Sequence, residues 1–157
     1  MRISDYLAWL GPVYLFAVAW PLSRVDLRER RLPNKFTLPV FPLTALGQVL
    51  AVAGGAPLTK FLLALLCTVI AFAAGVALNR AAGLGMGDVK LIAGITFGLA
   101  WFHPLLPAIA LLIAFVIAGA WALTMVAVKK TNTGSSIALG PYLLVGFAVC
   151  LIAQGWS

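Results

Sequence analysis

Long apolar runs dominate this chain and leave few folds open to it. Six stand out along its 157 residues: about Tyr6–Leu22, Phe36–Ala53, Thr59–Asn79, Val89–Phe102, Leu105–Val128 and Ile137–Gln154. Within them the apolar residues are continuous. They show neither the two-residue alternation of a barrel strand nor the one-sided stripe of a helix on a soluble core. Most approach the roughly 20 residues a helix needs to cross a bilayer. In hydrocarbon every backbone N–H and C=O must be satisfied internally, and a helix does this within one segment. The expected fold is therefore all-α: a polytopic membrane protein built as a bundle of six transmembrane helices. No repeat or linker interrupts the runs, so residues 1–157 are read as a single membrane-embedded domain.

The net charge of +7 would suit a nucleic-acid binder if the basic residues gathered on one element. They lie between the apolar runs instead. Arg24, Arg28, Arg30, Arg31 and Lys35 fall between the first and second, Arg80 and Lys90 between the third and fourth, and Lys129 and Lys130 between the fifth and sixth. Only Arg2 and Lys60 belong to the other side. That bias puts the first, third and fifth connections in the cytoplasm and both termini outside. Lipid is the expected partner of this surface, and nucleic acid is not. Trp20 then fits an inner aromatic belt, and Trp9, Trp101 and Trp156 an outer one. Cys67 and Cys150 sit deep in apolar runs, outside any CxxC pair, and are read as packing residues. Ala17-Val18-Ala19 has the small-x-small look of a signal-peptide site, but Asp5 offsets Arg2, and Pro21 with a basic cluster follows. The first run is read as a retained helix.

The fourth run is the odd one. From Val89 to Phe102 a helix would extend only about 21 Å, short of the roughly 30 Å hydrocarbon core. Either the bilayer thins there or the helix starts below the cytoplasmic surface, at the foot of a water-filled vestibule. Gly94 and Gly98 would let a neighbouring helix come close. Pro12 is placed to kink the first helix, Pro39 and Pro42 the second, and Gly140-Pro141 to bend the start of the sixth. Pro104 ends the fourth run. His103, beside it at the outer end, is read as an interfacial residue rather than a ligand or base.

Acidic residues are scarce: Asp5, Asp26, Glu29 and Asp88 are the whole set. A carboxylate among apolar segments is costly unless it is solvated, paired or used. Asp26 follows the first run and Asp88 precedes the fourth, at the same membrane level. If those helices are neighbours the two side chains converge, and two close carboxyls share a proton. One can then act as general base on a water while the other donates a proton to a carbonyl oxygen. Such chemistry needs no metal, no cofactor and no nucleophilic side chain. The competing possibilities are that Asp26 and Glu29 are solvated ion-pair partners of the surrounding arginines, or that the acids couple ion movement. Gly85 and Gly87 favour chemistry, because they offer a flexible backbone beside Asp88 where a peptide could approach.

At these residues the sequence resembles a known family. Asp26-Leu27-Arg28-Glu29-Arg30-Arg31-Leu32-Pro33-Asn34 is similar to the first motif of the type IV prepilin peptidases, and Gly85-Met86-Gly87-Asp88-Val89-Lys90-Leu91 to their second, of the GxGD class. Ala138-Leu139-Gly140-Pro141-Tyr142 resembles a weaker third element. The three occur in the family's order and cover nearly the whole chain.

The resemblance implies a hydrolase of the inner membrane: an aspartic endopeptidase that removes the basic leader from prepilins or pseudopilins at the cytoplasmic face. It assigns Asp26 and Asp88 as the catalytic pair and makes Gly85 and Gly87 motif glycines. Pro33, Asn34, Lys90 and Gly140-Pro141 match family positions without a chemical role. Many bacterial members also carry an N-methylating domain with paired CxxC motifs. This chain has no such motif and starts its first span within ten residues of Met1, so methylation is not expected of it. The short form is similar to peptidases of tight-adherence (Flp-type) pilus systems and to archaeal preflagellin peptidases. Two other readings stay open. One is a GxGD protease like presenilin or signal peptide peptidase, although Val25 stands where those have a tyrosine. The other is a small proton-coupled transporter, for which no inverted repeat is visible.

Overall fold

The computed structural model describes residues 6–29, 32–128 and 138–155. Among them every regular element is helical: α1 Leu10–Glu29, α2 Asn34–Thr37, α3 Val40–Ala53, α4 Leu58–Ala82, α5 Met86–Ala100, α6 Leu106–Ala127 and α7 Gly140–Gly155. Six long helices with one added turn, α2, make an all-α membrane bundle. Arg2, Asp5, Arg30, Arg31, Lys129, Lys130, Ile137 and Trp156 lie outside the described residues.

Prolines and glycines set the boundaries. Pro39, with no N–H to donate, stands between α2 and α3 and splits the second apolar run into two helices. Pro57 caps α4 from an extended conformation, and Gly83 ends that helix in the left-handed region at φ 71°. Pro12 does not act as a breaker. It is the third residue of α1, where a missing N–H costs nothing, because first-turn N–H groups have no partner inside the helix. The interior proline is Pro21, and α1 runs on past it to Glu29, well beyond the apolar run. Asp26 is thus carried on helix rather than on loop.

Among the described residues three stretches are long and apolar enough to span a membrane by themselves: Asn34–Ala53, Leu58–Ala82 and Leu106–Ala127. Their outward faces expose side chains such as Leu62, Leu66 and Val69 on α4 and Leu112, Val116 and Leu123 on α6. Such faces are stable against lipid and not against water. The 15-residue α5 is the reverse case. Every residue from Leu91 to Ala100 is buried, and α5 packs against each of the other helices. Packed on all sides by protein where the others meet lipid, it does not need the length of a spanning helix.

Close packing around α5 uses its small residues. A Cβ on Gly94 would stand 3.1 Å from Val40 on α3, and one on Gly98 would stand 3.1 Å from Pro12 on α1. The two glycines therefore admit two different neighbours, where a single one was expected. Buried Gln48 on α3 donates from Nε2 to the Phe97 carbonyl at 2.8 Å, tying α3 to α5. Trp101 departs from expectation. It is 1% exposed, covered by Ala8, Ala51 and Ala56, so it belongs to the core and not to an interfacial belt. Trp20 is 70% exposed, with Arg24 over its ring, as suits a membrane interface. His103 is exposed, and its Nδ1 accepts the Leu105 N–H in the turn after α5. Cys67 and Cys150 are free thiols, the latter within the core.

Candidate active site

Four stretches of chain meet at one end of α5. The last turns of α1 bring Asp26, and the connection to α2 brings Leu32, Pro33 and Asn34. The turn after α4 brings Gly85 into the start of α5, and the first residue of α7 brings Gly140. Between them lies a cavity of about 360 Å³ lined by Asp26, Leu32, Asn34, Gly85, Met86, Gly87, Asp88 and Lys90. At roughly 30 Å³ per water it has room for several. Six of the seven residues singled out from the sequence line this one space. Pro33 does not; it stands behind it, capping α2, and its carbonyl accepts the Phe36 N–H at 3.1 Å.

Asp26 is 4% exposed, so the solvated ion pair considered from the sequence is not its state. Its Oδ2 accepts the Gly140 N–H at 3.0 Å. That N–H opens α7, where first-turn donors lack partners inside the helix, and a carboxylate is a strong acceptor for such a group. Glu29, one turn on, is exposed. Asp88 is half-buried in the first turn of α5, where the helix dipole favours negative charge. Asp26 lies one turn past the first apolar run and Asp88 just before the fourth, so both carboxyls stand outside the membrane-spanning runs. Burial, with the Asp26 charge adding to it, pushes the Asp88 carboxyl up to about 6. Burial also raises Asp26, and the Gly140 N–H acts against that rise. Two carboxyls that feel each other in a shared wet cavity can hold one proton between them and serve as base and acid.

Lys90 and Asn34 had no assigned part. Lys90 Nζ donates to Asn34 Oδ1 at 2.9 Å, joining the second turn of α5 to the start of α2. This bond clamps one aspartate motif to the other. The glycines also differ from expectation. Gly85 has an ordinary φ of −58°, so its value is not backbone freedom. A Cβ there would lie 2.8 Å from Asp88 Oδ2, and one on Gly87 would lie 2.8 Å from Leu32 Cβ. Part of the space they leave is taken by the chain's own carboxylate and leucine. Leu32 and Met86 were missed as lining residues; apolar neighbours of a motif carry no signal in an apolar sequence. The Gly140 N–H was missed too, and the only hint of it was a glycine before proline at a helix start.

The sequence matches the family model of the type IV leader peptidases over residues 13–123. The chain belongs to the type IV leader peptidase family. No curated protein and no solved structure matches it. The family match takes in Asp26, Asp88 and every lining residue of the cavity, and stops short of α7. This is therefore a membrane peptidase of the leader-peptidase type whose matched segment builds the cavity and whose α7 supplies one further hydrogen bond to it.

Proposed function

We propose that the protein is a membrane aspartic endopeptidase that cuts the basic leader from type IV prepilins or related pilin-like precursors at the cytoplasmic face of the inner membrane. The observation that carries this reading is the pair of carboxyls, Asp26 and Asp88, in one cavity at the end of the central helix. Family membership supplies the reaction class. The substrate's apolar helix lies in the bilayer and its leader in the cytoplasm, so the scissile bond falls where the cavity opens. One carboxylate takes a proton from water, and the resulting hydroxide attacks the peptide carbonyl carbon. The other carboxyl gives its proton to the carbonyl oxygen, forming a tetrahedral diol. The first carboxyl then passes its proton to the amide nitrogen while a diol hydroxyl returns one to the second; the C–N bond breaks, an amine and a carboxylic acid leave, and the pair is restored. The basic residues of the cytoplasmic loops orient the chain and hold anionic headgroups.

The test is cleavage of a full-length prepilin by the protein in lipid vesicles, with Asp26→Asn and Asp88→Asn as separate variants. A single cut at the leader boundary, lost in both variants, is the expected result. Full activity in either variant would refute the paired mechanism, and proton flux without cleavage would point to transport.

A further inference from the structure

The two acids are not equivalent, and α7 is what distinguishes them. Burial disfavours the charged form of a carboxyl. Asp26 is the more covered of the pair, so burial by itself would leave the shared proton there. Yet Asp26 is the one that receives a direct backbone hydrogen bond, from Gly140 at 3.0 Å. A donor of this kind stabilises the ionised form and does nothing comparable for the protonated one. Among the described residues Asp88 accepts no such bond; it has only the diffuse field of the α5 N-terminus.

We propose that the Gly140 N–H breaks the symmetry of the pair, holding Asp26 as the carboxylate that activates water and leaving the proton on Asp88, which donates it to the scissile carbonyl. This rests on the peptidase reading above. Gly140 is a positioning residue that acts through Asp26. Its lack of a side chain follows from the same contact. A Cβ at this position would stand 2.6 Å from Asp26 Oδ2, 3.1 Å from its Cγ and 3.2 Å from Leu32 Cδ2. Any other residue except proline would keep the N–H and drive the carboxylate off it, and proline would lack the N–H itself. Among the described residues no charged side chain is bonded to Asp26. From α5 come Asp88 and Lys90, and Lys90 is bonded to Asn34 of α2. On α1 itself Arg24, Arg28 and Glu29 are exposed, and α7 carries no acidic or basic residue.

The scarcity of acids makes a direct test practical. With carboxyl-labelled (carbon-13) aspartate the full chain in lipid nanodiscs shows signals from Asp5, Asp26 and Asp88 alone. Each is assigned by its own Asp→Asn variant. The signals of a coupled pair report both ionisation steps, so the order is read from which carboxyl carries most of the first. In the wild type Asp26 should ionise first. In Gly140→Ala its titration should move up by about one pH unit or more. On a prepilin the same variant should lose about tenfold or more in kcat with KM nearly unchanged, and its acid limb should shift upward with the titration. A wild type in which Asp88 ionises first overturns the proposal, whether or not Gly140→Ala folds. So does a folded Gly140→Ala with an unmoved Asp26. The titration needs no substrate, so its failure is separable from failure of the peptidase reading, which absence of prepilin cleavage by the wild type would reveal.

Discussion

Gly87→Ala asks what a motif glycine is for. The added Cβ would lie 2.8 Å from Leu32 Cβ, 3.4 Å from its backbone N and 3.5 Å from its Cδ1. Ordinary contact begins at about 3.4 Å, so Leu32 Cβ must retreat by at least ~0.6 Å. Leu32 is 8% exposed and cannot swing away freely, because the offending atom is its Cβ, fixed to the main chain. The strain therefore passes into the connection that leads from Asp26 to Asn34. Overpacking of this kind costs about 1–3 kcal/mol. If most of it displaces Asp26 relative to Asp88, kcat/KM should fall about tenfold to a hundredfold. The assay is prepilin cleavage in nanodiscs, with the thermal midpoint measured alongside. The decisive variant is the double change Gly87→Ala with Leu32→Gly, which removes the clashing Cβ. If the glycine makes room for Leu32, the double variant should recover much of the activity relative to Gly87→Ala, a coupling of about 1 kcal/mol or more. If the glycine makes room for substrate, the alanine methyl still blocks it and Leu32→Gly restores nothing. That outcome, or full activity in Gly87→Ala alone, would refute the reasoning.

Two further outcomes follow from the site. Asp88 has a folded-state pKa of about 6 against an ordinary value of 3.8, so the folded protein holds a proton there that the unfolded chain releases between those values. Stability should thus fall as pH rises through that window, by at most about 3 kcal/mol and less for the water that reaches the cavity. In Asp88→Asn the part owed to Asp88 should vanish, leaving only what Asp26 contributes, and the thermal midpoint above pH 6 should rise, which detergent-solubilised melting curves across pH would check. Lys90→Met should break the bond to Asn34 and cost about 0.5–1.5 kcal/mol, seen as a several-fold loss of cleavage. Asn34→Ala should cost the same, and the double variant little more, because both remove one bond.

Much of the fold was legible because a bilayer admits few alternatives: long apolar runs with no water to satisfy their backbones become helices. The acids were legible for the same reason, since Asp26 and Asp88 stand out in a sequence with so little charge. What could not be read is whatever depends on which surface covers which. Trp101 looks like any membrane-interface tryptophan until Ala8, Ala51 and Ala56 close over it. Pro12 and Pro21 look like equal helix breakers until the helix start is known to be Leu10. The Gly140 contribution is a backbone N–H, which every residue except proline possesses, so no residue type announces it. Gly85 and Gly87 stood out in the sequence, but the neighbours they admit, Asp88 and Leu32, did not. Sequence reports that a side chain is absent and not what occupies its place.

The bond between Asp26 and Gly140 joins residues 114 positions apart. It also joins the first long helix to the last. A chain still being synthesised can insert α1 early, but its aspartate stays without the α7 donor until nearly the whole protein has been made. On the proposal that Gly140 holds Asp26 ionised, a fragment lacking α7 would lack that asymmetry. On that proposal the charge asymmetry of the pair is set only when the last long helix docks against the first.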